Sequence, residues 1–237
     1  MKNFRIISAR RAYEFGPDDV RLSMLTLPQV QARIQQTFHF QVAQIGTPAP
    51  TFGPVPPTIP PGVIFDFGAY VTDRQEPIPI RFLHFEQRRV VIDIAGRSST
   101  LDDVFLTLQR ILDELKSSDG ASTLGPVKRV LDYSEVTAEL SFSPDLILAP
   151  KLRNLLKQEN SPALAPSGQV LLPTIIMVGS DPSQEFNGFD QNSFGVYHLA
   201  LRAGTLPDEK IYFSSAPISS EKHELYLEGM EAALSDG

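Results

Sequence analysis

The chain has no cysteine, which excludes disulfides, thiolate zinc sites and thiol catalysis together. It also lacks an apolar run of membrane-spanning length; the longest, Val170 to Val178, is strand-sized. Met1 leads directly into Phe4-Arg5-Ile6-Ile7, without an apolar h-region or a cleavage site. A soluble, cytoplasmic protein is therefore expected, with no membrane contact. No G-x-S-x-G, P-loop or G-x-G-x-x-G occurs. Positive charge is in the minority: the formal net charge of −7 disfavours nucleic acid, because phosphate binding draws on a basic surface.

What is present is architectural. At 237 residues and 42% hydrophobic the chain can bury a substantial core. The clearest stretch runs from Pro77 to Leu115. Ile80 to Phe85 and Val90 to Ala95 read as two strands, joined by the polar tetrad Glu86 to Arg89. Ser99, Thr100, Asp102 and Asp103 promise a hydroxyl cap followed by first-turn carboxylates. Leu101, Val104, Phe105, Leu108, Ile111, Leu112 and Leu115 then recur at helical spacing.

Upstream, Phe4 to Phe15 is a strand rich in arginine, and Pro28 opens a helix whose stripe is Val30, Ile34 and Phe38. Between Gly46 and Gly62 seven prolines in seventeen residues favour an extended path and forbid a helix or interior strand. Val63 to Val71 is a third strand.

The second half follows the same order. Leu131 to Phe142 is a strand carrying acids where the first carried arginines, and Phe15-Gly-Pro-Asp18 is echoed by Phe142-Ser-Pro-Asp145. A proline-led helix at Pro150 follows, then strands at 170–178, 196–201 and 210–214, and a terminal helix capped by Ser219 or Ser220. The expected fold is α+β: a β-α-β-β-β-α module written twice, mostly antiparallel, with helices on one face. The halves span 1–118, with the proline-rich segment at 46–62, and 129–237, joined by a linker at 119–128 and packed as one pseudo-symmetric unit. Across a pseudo-twofold axis Arg5, Arg10 and Arg11 would meet Asp132, Glu135 and Glu139.

Chemistry is sparse. The four histidines, His39, His84, His198 and His223, show no metal-ligand spacing, and no cofactor, metal or catalytic residue is implied. The expected function is a non-enzymatic protein-binding or adaptor role, through an exposed sheet face or the loop 179–192. In that loop Phe186 and Phe189 flank Gly188 beside Asp190 as candidate anchors. The alternative is a small anionic or nucleotide ligand in a pocket between the halves, held by Arg81, Arg88, Arg89, Arg97 and His84.

Overall fold

The computed structural model describes residues 1–46, 62–72, 74–115, 120, 122–143, 146, 175–179 and 196–235. They form a mixed structure of strands and helices with one antiparallel sheet. The strands are β1 (Lys2–Glu14), β2 (Val42–Gly46), β3 (Gly62–Val71), β4 (Pro77–Glu86), β5 (Arg89–Ile94), β6 (Arg129–Glu139), β7 (Ile175–Gly179), β8 (Val196–Leu201) and β9 (Ile211–Ala216). The helices are α1 (Leu22–Leu25), α2 (Pro28–Phe38), α3 (Ser98–Glu114) and α4 (Ser220–Ser235). The sheet order is β2-β3-β4-β5-β1-β6-β9-β8-β7. Two compact units result: Ile7–Ser134, the first, and Met1–Ile6 with Glu135–Gly237, the second. β1 and β6 each give residues to both.

In the first unit, strand alternation sends Ala9, Tyr13, Phe65, Leu83, Phe85, Val90, Ile92 and Ile94 into one core. The stripes of α2 and α3 close it: Val30, Ile34 and Phe38 from one, Leu101, Val104, Phe105, Leu108, Ile111 and Leu112 from the other. Tyr13 stacks on Phe105 with centroids 3.6 Å apart, and its hydroxyl donates to the Leu101 carbonyl at 3.0 Å. A hydroxyl carried this deep needs such an acceptor.

In the second unit the core is smaller. Val136, Ala138, Leu140, Phe142, Leu199 and Tyr212 meet Leu227 of α4, with Phe4, Ile6, Met230 and Leu234 packed around them. Tyr212 donates to the Phe142 carbonyl at 3.0 Å.

Two readings of the sequence need correction. α3 does not take its cap from Ser99: the helix starts at Ser98, Arg97 occupies the N-cap position without a side-chain cap bond, and no carboxylate lies in the first turn. Asp102 instead meets Nη1 of Arg11 at 2.5 Å, so a tertiary ion pair takes the place of a local dipole contact. The second correction is an added strand. β2 pairs with β3 from Val42↔Asp66 to Gly46↔Gly62, and it ends where the proline-rich run begins. Arg11 does reach Asp132, at 2.6 Å, whereas Arg10 turns to the other face and a different carboxylate.

The expected helix at Pro150, residues 119 and 121 of the expected linker 119–128, residues 47–61 of the proline-rich segment and residues 180–192 of the loop 179–192 lie outside the described residues.

Candidate functional site

Register determines which side chains of the second unit share a face. Leu199 lies opposite Ser214 and Leu201 opposite Tyr212, on the α4 side; His198 lies opposite Ser215 and Ala200 opposite Phe213, on the other. β7 extends this second row, with Met177 against His198 and Ile175 against Ala200. The result is a largely apolar face of Ile175, Met177, Val196, Ala200, Ile211 and Phe213. Ile175 is 57% exposed and Met177 67%. His198 sits within it, its ring edge-on to Phe213 at 6.0 Å. On β6, Val136 and Ala138 point into the core, so Glu135 and Glu139 stand on the opposite side, with buried Thr137 between them. Glu139 accepts from Asn3 at 2.8 Å. Among the described residues, no helix packs on this face.

The corresponding face of the first unit is polar. Arg10 pairs in register with Asp93, and its Nη2 lies 2.8 Å from the carboxylate, which is wholly buried. The guanidinium sits over the rings of Phe82 at 5.2 Å and Tyr133 at 5.5 Å, where the ring quadrupoles favour a cation. Arg81 contributes at 3.9 Å from Asp93 and also donates to the Ile7 carbonyl. Further along, Nδ1 of His84 lies 3.3 Å from Glu86, whose carboxylate also takes Arg89 through two bonds. Glu14, opposite Arg89, is buried and its carboxyl is raised, first by desolvation, against the pull of Arg129, Arg89 and Arg88. Asp66 is raised by burial in the same way.

The arginines named from the sequence therefore distribute along this face. Arg81 stands at mid-strand beside Asp93. Arg89 and Arg88 sit at the β4–β5 turn, Arg88 through its backbone carbonyl accepting from Phe15. Arg97 lies past the opposite end of β5, at the mouth of α3. Arg81 and Arg89 each face a carboxylate of the protein itself. Phe186, Phe189 and Asp190 fall outside the described residues.

One constellation escaped the sequence reading. Ser214 on β9 lies 2.8 Å from Nε2 of His223 on α4, and both are buried. Burial alone holds the imidazole down at about 4. Tyr197 packs edge-on against His223 at 6.2 Å and against Tyr226 at 5.0 Å, and burial pushes its phenol up to about 12. A signal was available: His223, Leu227, Met230 and Leu234 follow the i, i+4, i+7, i+11 spacing of a buried stripe. Ser214 and His223 are 1% and 0% exposed, so the pair has no path to a substrate and serves packing.

A cavity of about 740 Å³ also opens in the second unit, beside Glu139, Asp208, Glu209, Glu228, Glu231 and Lys210. Glu231 accepts from the Ser141 amide at 2.7 Å and meets the Met1 amine. Burial works against its charge, but these donors hold its carboxyl below the usual range. Lys210 is turned to the Ser141 carbonyl at 2.7 Å. No group of His, Asp and Glu among the described residues is arranged to hold a metal ion, and none of the described helices is long and apolar enough to cross a membrane. No protein-family model matches the chain, and no curated protein is significantly similar to it.

Proposed function

We propose that this chain is a non-enzymatic protein-binding module, an adaptor in role, that docks its partner on the apolar face of β7, β8 and β9. The observation that carries the reading is the exposed pair Ile175 and Met177 on the edge strand β7, with half-buried Phe213 on the same side of β9 and no described helix over them. Exposed apolar area of this kind is costly unless something covers it. The flanking carboxylates Glu135 and Glu139 select the partner's chemistry: an amphipathic helix with an apolar stripe and a basic border.

The test is capture from lysate with wild-type chain and Met177→Asp in parallel, half of each sample nuclease-treated. A stoichiometric protein held by the wild type and lost by Met177→Asp supports the reading, provided that its isolated basic helix binds and weakens with salt. Equal capture by both chains overturns the face. The stretch 179–192 continues directly from β7 in sequence, and Phe186→Ala with Phe189→Ala tests whether Phe186, Phe189 and Asp190 belong to the same contact.

The internal duplication belongs to the same proposal. Supporting it, β3-β4-β5 followed by α3 is matched by β7-β8-β9 followed by α4, with His84 and His198 on the corresponding middle strands. The arginine-lined site for a small anion is the weaker alternative, because the carboxylates near Arg81 and Arg89 already answer their charge. A rise in melting temperature with added nucleotide would favour it. A cytoplasmic setting completes the reading, to be checked by fractionation of a tagged chain.

A further inference from the structure

We infer that Met177 is the peroxide-sensitive site of this chain, and that its conversion to the sulfoxide turns off the apolar face of β7, β8 and β9. The second clause rests on the docking role proposed above; the first does not. Composition sets the sulfur chemistry. The chain holds no cysteine and four methionines, so thioethers carry the reaction with hydroperoxides that thiolates would otherwise take. All four methionines lie among the described residues. Met1 and Met230 are partly buried and pack against the core of the second unit. Met24 is half-buried in α1. Met177 is 67% exposed on β7, at the edge of the sheet, where an oxidant reaches the sulfur directly.

In the reaction a lone pair of the Met177 sulfur attacks one oxygen of hydrogen peroxide. The sulfur–oxygen bond forms as the oxygen–oxygen bond breaks, and a proton passes to the departing hydroxide to give water. Sulfur is oxidised by two electrons and the peroxide reduced by two. The product replaces a flexible apolar side chain with a polar one. Register decides where that polarity falls. Met177 stands opposite His198, and Ile175 stands opposite Ala200 on the same side. Directly opposed side chains lie about 5 Å apart at Cβ, and an imidazole in either tautomer carries an N–H that a sulfoxide oxygen can accept. The oxidised side chain thus sets a hydrated dipole on the face, and an apolar partner must strip its water to seat there. A leucine would offer similar apolar area, but only the thioether makes the loss reversible, because enzymatic reduction returns the sulfoxide to methionine.

The experiment titrates the intact chain with hydrogen peroxide until one oxygen is taken up per chain, and maps the sulfoxides by peptide mass spectrometry. Binding of Nile red, a neutral apolar probe, is followed alongside, each chain being compared with itself before and after peroxide. Met177 should be oxidised ahead of Met24, Met230 and Met1. Nile red affinity should fall about tenfold as that methionine's apolar contribution is lost, and return after treatment with methionine sulfoxide reductase. Met177→Leu should lose the response to peroxide, whereas Met24→Leu and Met230→Leu should keep it. Oxidation of another methionine ahead of Met177 overturns the site, and full Met177 sulfoxide with unchanged Nile red affinity overturns the switch. If Met177 resists peroxide while Met177→Asp still releases a captured protein, the docking role stands and this inference falls. If the unoxidised chain captures no protein through Met177, the docking role falls, and the peptide map and dye titration still decide the inference.

Discussion

A wholly buried ionisable group of the first unit is Asp93, with the guanidinium of Arg10 at 2.8 Å and two aromatic rings beneath that cation. That of the second unit is His223, whose 2.8 Å neighbour Ser214 carries no charge. The two solve the same problem by opposite routes. The first sets a guanidinium beside its buried group; the second sets an uncharged hydroxyl beside its own. A paired charge persists wherever both partners stay ionised. A buried neutral base holds only while the solution leaves it unprotonated, so the two units should respond differently to acid and to substitution.

The largest effect is expected from Arg10→Ala, which takes the 2.8 Å guanidinium away from a wholly buried carboxylate. Denaturant unfolding should show a loss of about 3 kcal/mol or more, as when one partner of a buried pair is removed. Replacing both, Arg10→Met with Asp93→Leu, should recover most of it. Acid separates the units next. Because the folded His223 lies at about 4 against 6.5 in water, moving from pH 6.5 to pH 5 should cost the second unit about 2 kcal/mol. Ser214→Ala removes the 2.8 Å hydrogen-bond partner of His223 Nε2 and should cost about 1–3 kcal/mol at neutral pH, measured by thermal melting. The tyrosines test the cores with matched chemistry: Tyr13→Phe and Tyr212→Phe should each lose about 1 kcal/mol. The smallest change is expected at the β4–β5 turn, where Arg89→Ala removes a part-exposed pair with Glu86 and should shift stability by less than about 1 kcal/mol.

These residues also mark how far the sequence could be read. Periodicity carried the stripes of α2 and α3, because Val30, Ile34, Phe38 and the leucines of α3 depend on local spacing alone. Pro28 did open α2, since a proline at the first position gives up no hydrogen bond. β8 matched its expected bounds, Val196 to Leu201. The β2 strand was hidden because Val42 to Gly46 is five residues with no alternation, and its pairing comes from β3. The α3 cap was misplaced because the competition was tertiary: nothing near Asp102 in sequence announces Arg11. Asp93 read as an isolated charge in a β-branched run, and its partner lies 83 residues earlier. Arg11 meeting Asp132 was legible from the opposite charges of the strands that contain them. The Ser214–His223 contact required knowing that a strand and the following helix fold back on each other.

The stacked pair Tyr13 and Phe105 has a practical consequence. The chain contains no tryptophan and six tyrosines, so its near-ultraviolet spectrum is written mainly by phenols. Tyr13 is only 3% exposed, and burial raises its ionisation well above the ordinary value. In alkali its phenolate band should therefore appear with loss of the fold instead of ahead of it, making the first unit its own optical reporter without a label.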